Sequence, residues 1–224
     1  MARPRPRDFL DRLVGAAAIV FAEKGLKRAR MSDVARQMRV AHGTLYNYVE
    51  SKEALFFLLL THGTLREPLD LPAELPIRTP SARALQEQLR RQIAAPADLP
   101  RLEAALAVEE ADDAEAELAG ILDELYTRTE HGRHVASAID RSAIDLSSSI
   151  AAHRRRVRSQ LIERLGSYIE RRAARGQLTP PGDARVAARL LAETVGRFAR
   201  DEDGTARQTV IAMLVRSLVA NDRR

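Results

Sequence analysis

Apolar side chains recur every three or four residues along most of the chain, the spacing that places them on one face of a helix. The first such stripe predicts a helix that ends at Gly25. Its members are Leu10, Leu13, Val14, Ala17 and Phe21. The chain therefore opens with one fairly long amphipathic helix.

Two shorter helices are predicted next. The first covers roughly Ser32 to Met38, and the second begins near His42 and runs to about Val49. Ser51 then has the side chain and position of an N-cap for a fourth helix. Two short helices joined by a tight turn after a longer one form a helix-turn-helix, whose last helix can enter the DNA major groove.

The remainder of the chain also has helical periodicity, with one interruption. Prolines at positions 68, 72, 76 and 80 predict an irregular connection between Glu67 and Pro80. Helices resume near Ser81, and a long one is predicted from about Ile150 to Arg175, where Gly176 provides a cap. Two final helices are predicted, one from Asp183 to about residue 200 and one over about residues 205–220.

These patterns predict an all-α fold with two domains. Residues 1–52 are expected to form a three-helix helix-turn-helix domain with a basic N-terminal arm, and residues 53–224 a larger helical bundle that includes the dimerisation helices. Composition agrees, because 45% of the residues are apolar but only 4% are aromatic. A core of Ala, Leu, Val and Ile suits closely packed helices better than a pleated sheet.

The last two predicted helices are apolar on more than one face, so each must be covered on more than one side. A subunit interface is one way to cover them, and a symmetric dimer is the commonest oligomer. The alternative is that both are central core helices. The residues expected at the interface are Leu190, Leu191, Val195, Phe198, Val210, Met213, Leu214 and Leu218.

The excess positive charge of the chain lies near the N-terminus. The formal net charge is +5, yet residues 1–52 hold 11 basic and 5 acidic residues, and the other residues hold 25 and 26. This is the distribution expected if the first quarter of the chain binds a polyanion. A solvated basic face without a partner is the alternative.

The third predicted helix has an outward face suited to reading DNA. Leu45 and Val49 lie on the side that faces the first two helices, and small or hydrogen-bonding side chains face away. Such side chains can contact phosphates or base edges. Lys52 would add a cation at the start of the next helix. The residues predicted to contact DNA are His42, Gly43, Thr44, Tyr46, Asn47, Tyr48 and Lys52.

The same stretch resembles a known family. Residues 33–36, followed by the run from Val40 to Phe56 with its Gly-Thr-Leu-Tyr-x-Tyr and Ser-Lys-Glu-x-Leu motifs, closely resemble the N-terminal domain of TetR/AcrR-type transcriptional regulators. A weaker likeness, at residues 175–178 and Asp183, resembles the entry to that family's dimerisation helices. The match is specific over the first 60 residues, loose over the last 50, and generic between them.

The resemblance implies a homodimer that binds a partly palindromic operator on double-stranded DNA, with a C-terminal domain that binds an unknown small-molecule effector. Repression is favoured, because an occupied operator blocks polymerase directly. Arg3, Arg5 and Arg7 would form an arm that reaches phosphate or minor groove, or else a flexible tail. The ligand-binding residues are not predicted.

Two residues depart from the family pattern in the turn. Arg39 stands where glycine is usual, and a left-handed residue other than glycine costs about 1–2 kcal/mol. Ala41 replaces the usual hydroxyl N-cap, at a cost of about 1 kcal/mol. The turn is expected to keep the family's shape with less local stability.

Other classes of function find little support. The chain has no cysteine and no Glu-x-x-His motif, so thiolate chemistry and the usual metal sites of helical bundles are not predicted. His131 and His134 lie one helical turn apart without an acidic ligand pattern, and the serines at 147–149 lack a base partner. We expect no enzyme activity, metal, cofactor or membrane span, and a cytoplasmic location. The remaining alternative is a helical protein-interaction module that does not bind specific DNA sequences.

Overall fold

In the computed structural model, the described residues are 8–62, 74–142, 148–201 and 206–219. They contain eleven α-helices and no strand, which confirms the all-α prediction. The helices are α1 (Asp8–Arg28), α2 (Met31–Met38), α3 (His42–Leu45), α4 (Lys52–His62), α5 (Ala82–Ala94), α6 (Pro100–Ala107), α7 (Ala114–His131), α8 (Arg133–Ser142), α9 (Ser148–Ala174), α10 (Ala184–Phe198) and α11 (Arg207–Arg216).

The chain divides into two compact units. Unit 1 comprises residues 1–93 and 131–153, and unit 2 comprises residues 94–130 and 154–224. Unit 1 therefore contains the predicted helix-turn-helix together with α4, α5 and α8. The functional boundary between residues 52 and 53 stays a prediction.

The core of unit 1 forms around α1, which packs against α2, α4 and α8. The apolar stripe of α1 faces inward as predicted, and Leu10, Leu13 and Phe21 are almost fully buried. Phe21 meets Phe56 of α4 edge to face, with ring centroids 5.0 Å apart. These contacts hold α1 in place, and α2 packs directly against α1.

Gly25 breaks the regular backbone of α1 near its end, with φ 71° and ψ 166°. This conformation is essentially restricted to glycine. A Cβ at this position would lie 2.8 Å from the carbonyl oxygen of Arg141 at the end of α8. Ser142, the last residue of α8, also joins α8 to α1, because its hydroxyl accepts the Leu26 N–H (2.9 Å). The same hydroxyl donates to the Ala138 carbonyl within α8 (2.6 Å).

A buried arginine organises the core of unit 2. The Arg172 side chain on α9 is fully buried, and its guanidinium donates to the Glu117 carboxylate (2.8 Å). It also donates to the carbonyls of Ala105 (2.8 Å) and Glu109 (3.0 Å). Glu117 raises the pKa of Arg172 through this hydrogen bond. The interactions compensate the desolvation of the charge and join α9 to α6, to α7 and to the segment between them.

Helices α7 and α11 border a groove on unit 2. The Arg207 Nε atom at the start of α11 donates to Asp123 of α7 (2.8 Å), and its guanidinium lies 5.5 Å from the centroid of the Tyr126 ring. The groove has a volume of about 640 Å³, within the usual range for small-molecule sites, and acidic and apolar side chains line it.

The predicted interface residues of α10 and α11 divide into two groups. Leu191, Val195, Val210 and Leu218 are buried within the protomer, so their assignment to an interface is wrong. They face inward because both helices also form the core of unit 2. Leu190, Phe198 and Met213 are exposed, and Leu214 is half-buried.

Several predictions fall on residues outside the described ranges, namely those for the arginine arm, prolines 68 and 72 and Ser147. Across the described ranges, none of the helices combines the length and the apolar character needed to cross a bilayer. Within the same ranges, acidic, histidine and cysteine side chains do not gather into a group that could hold a metal ion.

Candidate nucleic-acid interface

The turn between α2 and α3 has the geometry expected of a helix-turn-helix. Arg39 ends α2 in the left-handed conformation, with φ 56° and ψ 45°. Its N–H donates to the Arg36 carbonyl (3.1 Å), and the next N–H, from Val40, donates to the Ala35 carbonyl (3.0 Å). Arginine thus occupies the position where glycine would be least strained, as the sequence predicted.

The start of α2 depends on Asp33. Its carboxylate accepts the Arg30 N–H (3.0 Å) and pairs with Lys24 of α1 (2.7 Å). The hydrogen bond from Lys24 is the largest influence and, with the backbone N–H, lowers the pKa of Asp33. The negative charge also suits the first turn of a helix. The N-terminus of α2 is therefore fixed to α1.

Helix α3 is shorter than predicted, ending at Leu45 rather than about Val49. The chain continues in turns, in which the N–H groups of Tyr48 (2.9 Å) and Val49 (3.1 Å) both donate to the Leu45 carbonyl. Ala41 caps the helix without a side-chain hydrogen bond, as expected from its missing hydroxyl. Leu45 and Val49 are fully buried, so the inward side of α3 agrees with the prediction.

The outward side of α3 presents small and polar groups to solvent. His42, Gly43 and Asn47 are exposed, Thr44 is half-buried, and Tyr46 is 43% exposed. The rings of His42 and Tyr46 meet edge to face with centroids 5.2 Å apart. The structure therefore brings five of the predicted contact residues onto one accessible surface, which we call the reading face.

Tyr48 does not belong to the reading face, which corrects the prediction for this residue. Only 5% of its surface is exposed, and its ring stacks on Phe9 of α1, with centroids 4.2 Å apart. A ring buried in this way cannot reach a base edge. Helical spacing alone would have placed Tyr48 on the buried side, because it lies three residues after the inward-facing Leu45, and the prediction was wrong to group it with the exposed residues.

Lys52 begins α4 as predicted, but its ammonium is already partly occupied. The Nζ atom donates to the carbonyls of Lys27 (3.0 Å) and Ala29 (3.4 Å), at the end of α1 and just beyond it. Beside it, the Ser51 hydroxyl accepts the Ala54 N–H (3.1 Å), which confirms Ser51 as the N-cap of α4. Lys52 thus links α1 to α4 through two of its three N–H groups, and its contact with DNA stays a prediction.

Exposed arginines precede the reading face in the sequence, and the residue-by-residue prediction did not include them. Arg30, Arg36 and Arg39 are all exposed on α2 or directly beside it. Among the carboxylates of the described residues, Asp33 pairs with Arg36 (3.5 Å), and none pairs with Arg30 or Arg39. The positive charge of the first 52 residues was the signal that could have identified them.

A short extended segment packs against the end of the helix-turn-helix. The Ile77 N–H donates to the Tyr48 carbonyl (2.7 Å), and the Glu50 N–H donates to the Ile77 carbonyl (3.0 Å). The Thr79 N–H donates to the Glu50 carboxylate (2.8 Å), and the hydroxyls of Thr79 and Ser51 lie 2.8 Å apart. We call residues 74–80 the brace. Its sequence has no periodic signal because prolines interrupt it.

The comparisons with known proteins agree with this geometry. The sequence profile of the bacterial regulatory proteins of the tetR family matches residues 13–59, which span α2, α3 and most of α1 and α4. No curated protein is similar enough in sequence to match the chain. The profile match covers the reading face completely.

Solved structures of transcriptional regulators share the fold over almost the whole chain. The ketosteroid transcriptional regulator KstR2 of Mycobacterium tuberculosis is 18% identical, with a TM-score of 0.58 and 98% of each chain covered. The TetR-family regulator PfmR of Thermus thermophilus is 17% identical, with a TM-score of 0.56 and coverage of 96% of this chain and 97% of that one. At these identities the likeness concerns the fold.

Proposed function

Because the N-terminal domain of this chain belongs to the tetR family of bacterial regulatory proteins, we propose that the chain is a DNA-binding transcription regulator that acts as a repressor. The observation that carries the proposal is the reading face, where His42, Thr44 and Asn47 offer hydrogen-bonding groups beside the exposed Tyr46 ring. These groups suit base edges and phosphates in a major groove. The exposed arginines of α2 supply the sequence-independent attraction to the DNA backbone.

The regulator acts as a homodimer. Four large apolar side chains of α10 and α11 are exposed, namely Val186 (57%), Leu190 (61%), Phe198 (38%) and Met213 (67%). A surface of this kind on two neighbouring helices is typical of a protein-protein interface. A two-fold dimer presents two reading faces, so its operator is partly palindromic.

A small-molecule effector releases the repressor from its operator, and both events take place in the cytoplasm, where the DNA lies. Residues 53–224 provide the effector-binding part of the chain in this proposal. Compounds that raise the melting temperature of the protein and also displace it from duplex DNA would support this step. A screen in which stabilising compounds leave DNA binding unchanged would count against it.

Binding of the purified protein to a labelled mixed-sequence duplex, titrated over a range of salt concentrations, tests the proposal. A logarithm of affinity that falls linearly with the logarithm of salt supports a DNA-binding regulator, because neutralised phosphates release counterions. Absence of binding at low salt would contradict it and favour a helical protein-interaction module.

A further inference from the structure

The brace, residues 74–80, lies at the end of α4 that is next to α3. Residue 77 is hydrogen-bonded to residues 48 and 50, so the brace lies at the beginning of α4 and not at its end. Helix α5 then runs alongside α4 in the same direction, because the Gln88 side chain donates to the Leu60 carbonyl (3.2 Å). The brace therefore belongs to the same end of unit 1 as the reading face.

The brace has a fixed orientation. Ile77 uses both its N–H and its carbonyl in the bridge to residues 48 and 50, and its side chain packs against the core of unit 1. Thr79 is held by Glu50 and Ser51. Between these two anchored residues, the Arg78 side chain extends into solvent.

Arg78 is accordingly free to meet a ligand. Its side chain is 82% exposed, and its nearest carboxylate is Glu74 at 3.9 Å, itself 86% exposed. A loose surface ion pair of this kind contributes little and exchanges readily for another anion. Arg78 is thus an exposed cation on an ordered segment that is hydrogen-bonded to residues 48 and 50, just after α3.

The anion that fits this position is a DNA phosphate. Asn47 on the reading face directly precedes Tyr48, whose carbonyl holds the brace. Each DNA strand carries a phosphate for about every 3.4 Å of helix axis, so a long cationic side chain here reaches the backbone next to the bases that α3 contacts. Lys52 is a second cation in this region, and two of its three N–H groups are bonded to backbone carbonyls.

We propose that the brace positions Arg78 to contact a DNA phosphate next to the reading face. This inference rests on the proposed function, because it requires that the reading face meets duplex DNA. The contact is independent of base sequence, so it adds affinity without changing the sequence that is read.

The experiment compares the full-length protein with Arg78→Gln on the same mixed-sequence duplex over a range of salt concentrations. The slope of log affinity against log salt should become shallower by about 0.9 for each subunit that makes the contact. Arg78→Lys should keep most of the slope. Arg90→Gln removes the same charge from an exposed position near the other end of α5 and should keep the wild-type slope.

An Arg78→Gln slope equal to that of the wild type, or an equal loss in Arg90→Gln, would overturn the inference. In either case the wild type would still bind DNA, so the proposed function would stand. A wild type that binds no duplex at low salt would overturn both. Thermal unfolding of each variant checks that the fold is retained.

A second pair of variants tests the role of the brace. Glu50→Ala removes the acceptor for the Thr79 N–H, whereas Glu50→Gln removes the same charge but keeps an acceptor oxygen. The effect of Arg78→Gln should shrink in the Glu50→Ala background and stay the same in the Glu50→Gln background. Equal effects in both backgrounds would show that the brace does not position Arg78.

Discussion

At the scale of single residues, the turn of the helix-turn-helix contains backbone strain. Arg39 adopts a left-handed conformation, and its exposed side chain leaves room for any replacement. The left-handed penalty of about 1–2 kcal/mol for a residue with a Cβ exceeds the entropic cost of glycine, about 0.5–1 kcal/mol. The native turn is therefore less stable than the same turn with glycine.

Arg39→Gly should raise the melting temperature by about 2 °C, because about 1 kcal/mol or less is recovered in a chain of this length. Differential scanning calorimetry measures the change. Arg36→Gly is the matched control, since Arg36 lies within α2 in helical conformation, and it should lower the melting temperature. An unchanged or lower melting temperature in Arg39→Gly would show that this residue is not strained.

The lowered pKa of Asp33 predicts how the stability of the region around α2 depends on pH. Lys24 and the Arg30 N–H hold the pKa of Asp33 below its ordinary value of 3.8. The stabilisation is present above that pH and is lost as the pH falls through the lower, folded-state pKa. Asp33→Asn should cost about 1–2 kcal/mol near neutral pH and much less in acid.

Urea unfolding of the wild type and of Asp33→Asn at several pH values measures this difference. Asp98→Asn, which changes an aspartate with a 75% exposed side chain, is the control and should show no such dependence. A constant difference between wild type and Asp33→Asn at every pH would mean that the carboxylate charge is not what stabilises α2.

At the scale of elements, the packing of α1 against α8 depends on a residue without a side chain. Gly25 combines a positive φ with the close approach of the Arg141 carbonyl. No other residue type meets both requirements. The close approach joins α1, the helix before the helix-turn-helix pair, to α8, which lies more than 100 residues later in the chain.

Gly25→Ala should destabilise the protein by about 3 kcal/mol, because it adds steric contact with backbone to the strain of the positive φ. Gly15→Ala is the control within the same helix. A Cβ there has no neighbour within 4 Å, so this change should stabilise α1 by about 0.5–1 kcal/mol. Chemical denaturation compares the two, and equal effects would contradict the account.

The sequence predicted the element types well because long helices have regular apolar spacing, and the cap residues Ser51 and Gly176 are where they were expected. It failed where the chain is irregular. The brace has no periodicity to detect, because it depends on hydrogen bonds between residues 48–51 and 77–79, which lie about 30 positions apart and follow no local pattern. Tyr48 was a different failure, since its spacing from Leu45 already places it on the buried side.

At the scale of the whole molecule, α10 and α11 serve two roles. Their buried residues, such as Leu191 and Val195, complete the core of unit 2. Their exposed apolar residues provide the proposed dimer surface. Sequence alone could not separate the two groups, because a helix that contributes to both a core and an interface is apolar on more than one face.

Leu190→Glu should therefore produce a monomer that keeps its helical content and binds the operator weakly. Sedimentation velocity and circular dichroism measure the oligomeric state and the helical content. Leu191→Ala is the contrasting variant, and it should lower the free energy of unfolding by about 2–5 kcal/mol, because it leaves a cavity in the core. A dimeric Leu190→Glu protein would place the interface elsewhere.

We propose that the reading face of α3 recognises duplex DNA in a dimer. Selection of bound duplexes from a random library by the purified protein tests it most directly, with Thr44 and Tyr46 variants run in parallel. We predict a partly palindromic motif whose half-sites are about one helical turn, or a multiple of it, apart, and which both variants lose. Failure to enrich any motif, or a motif that the variants select unchanged, would contradict the claim.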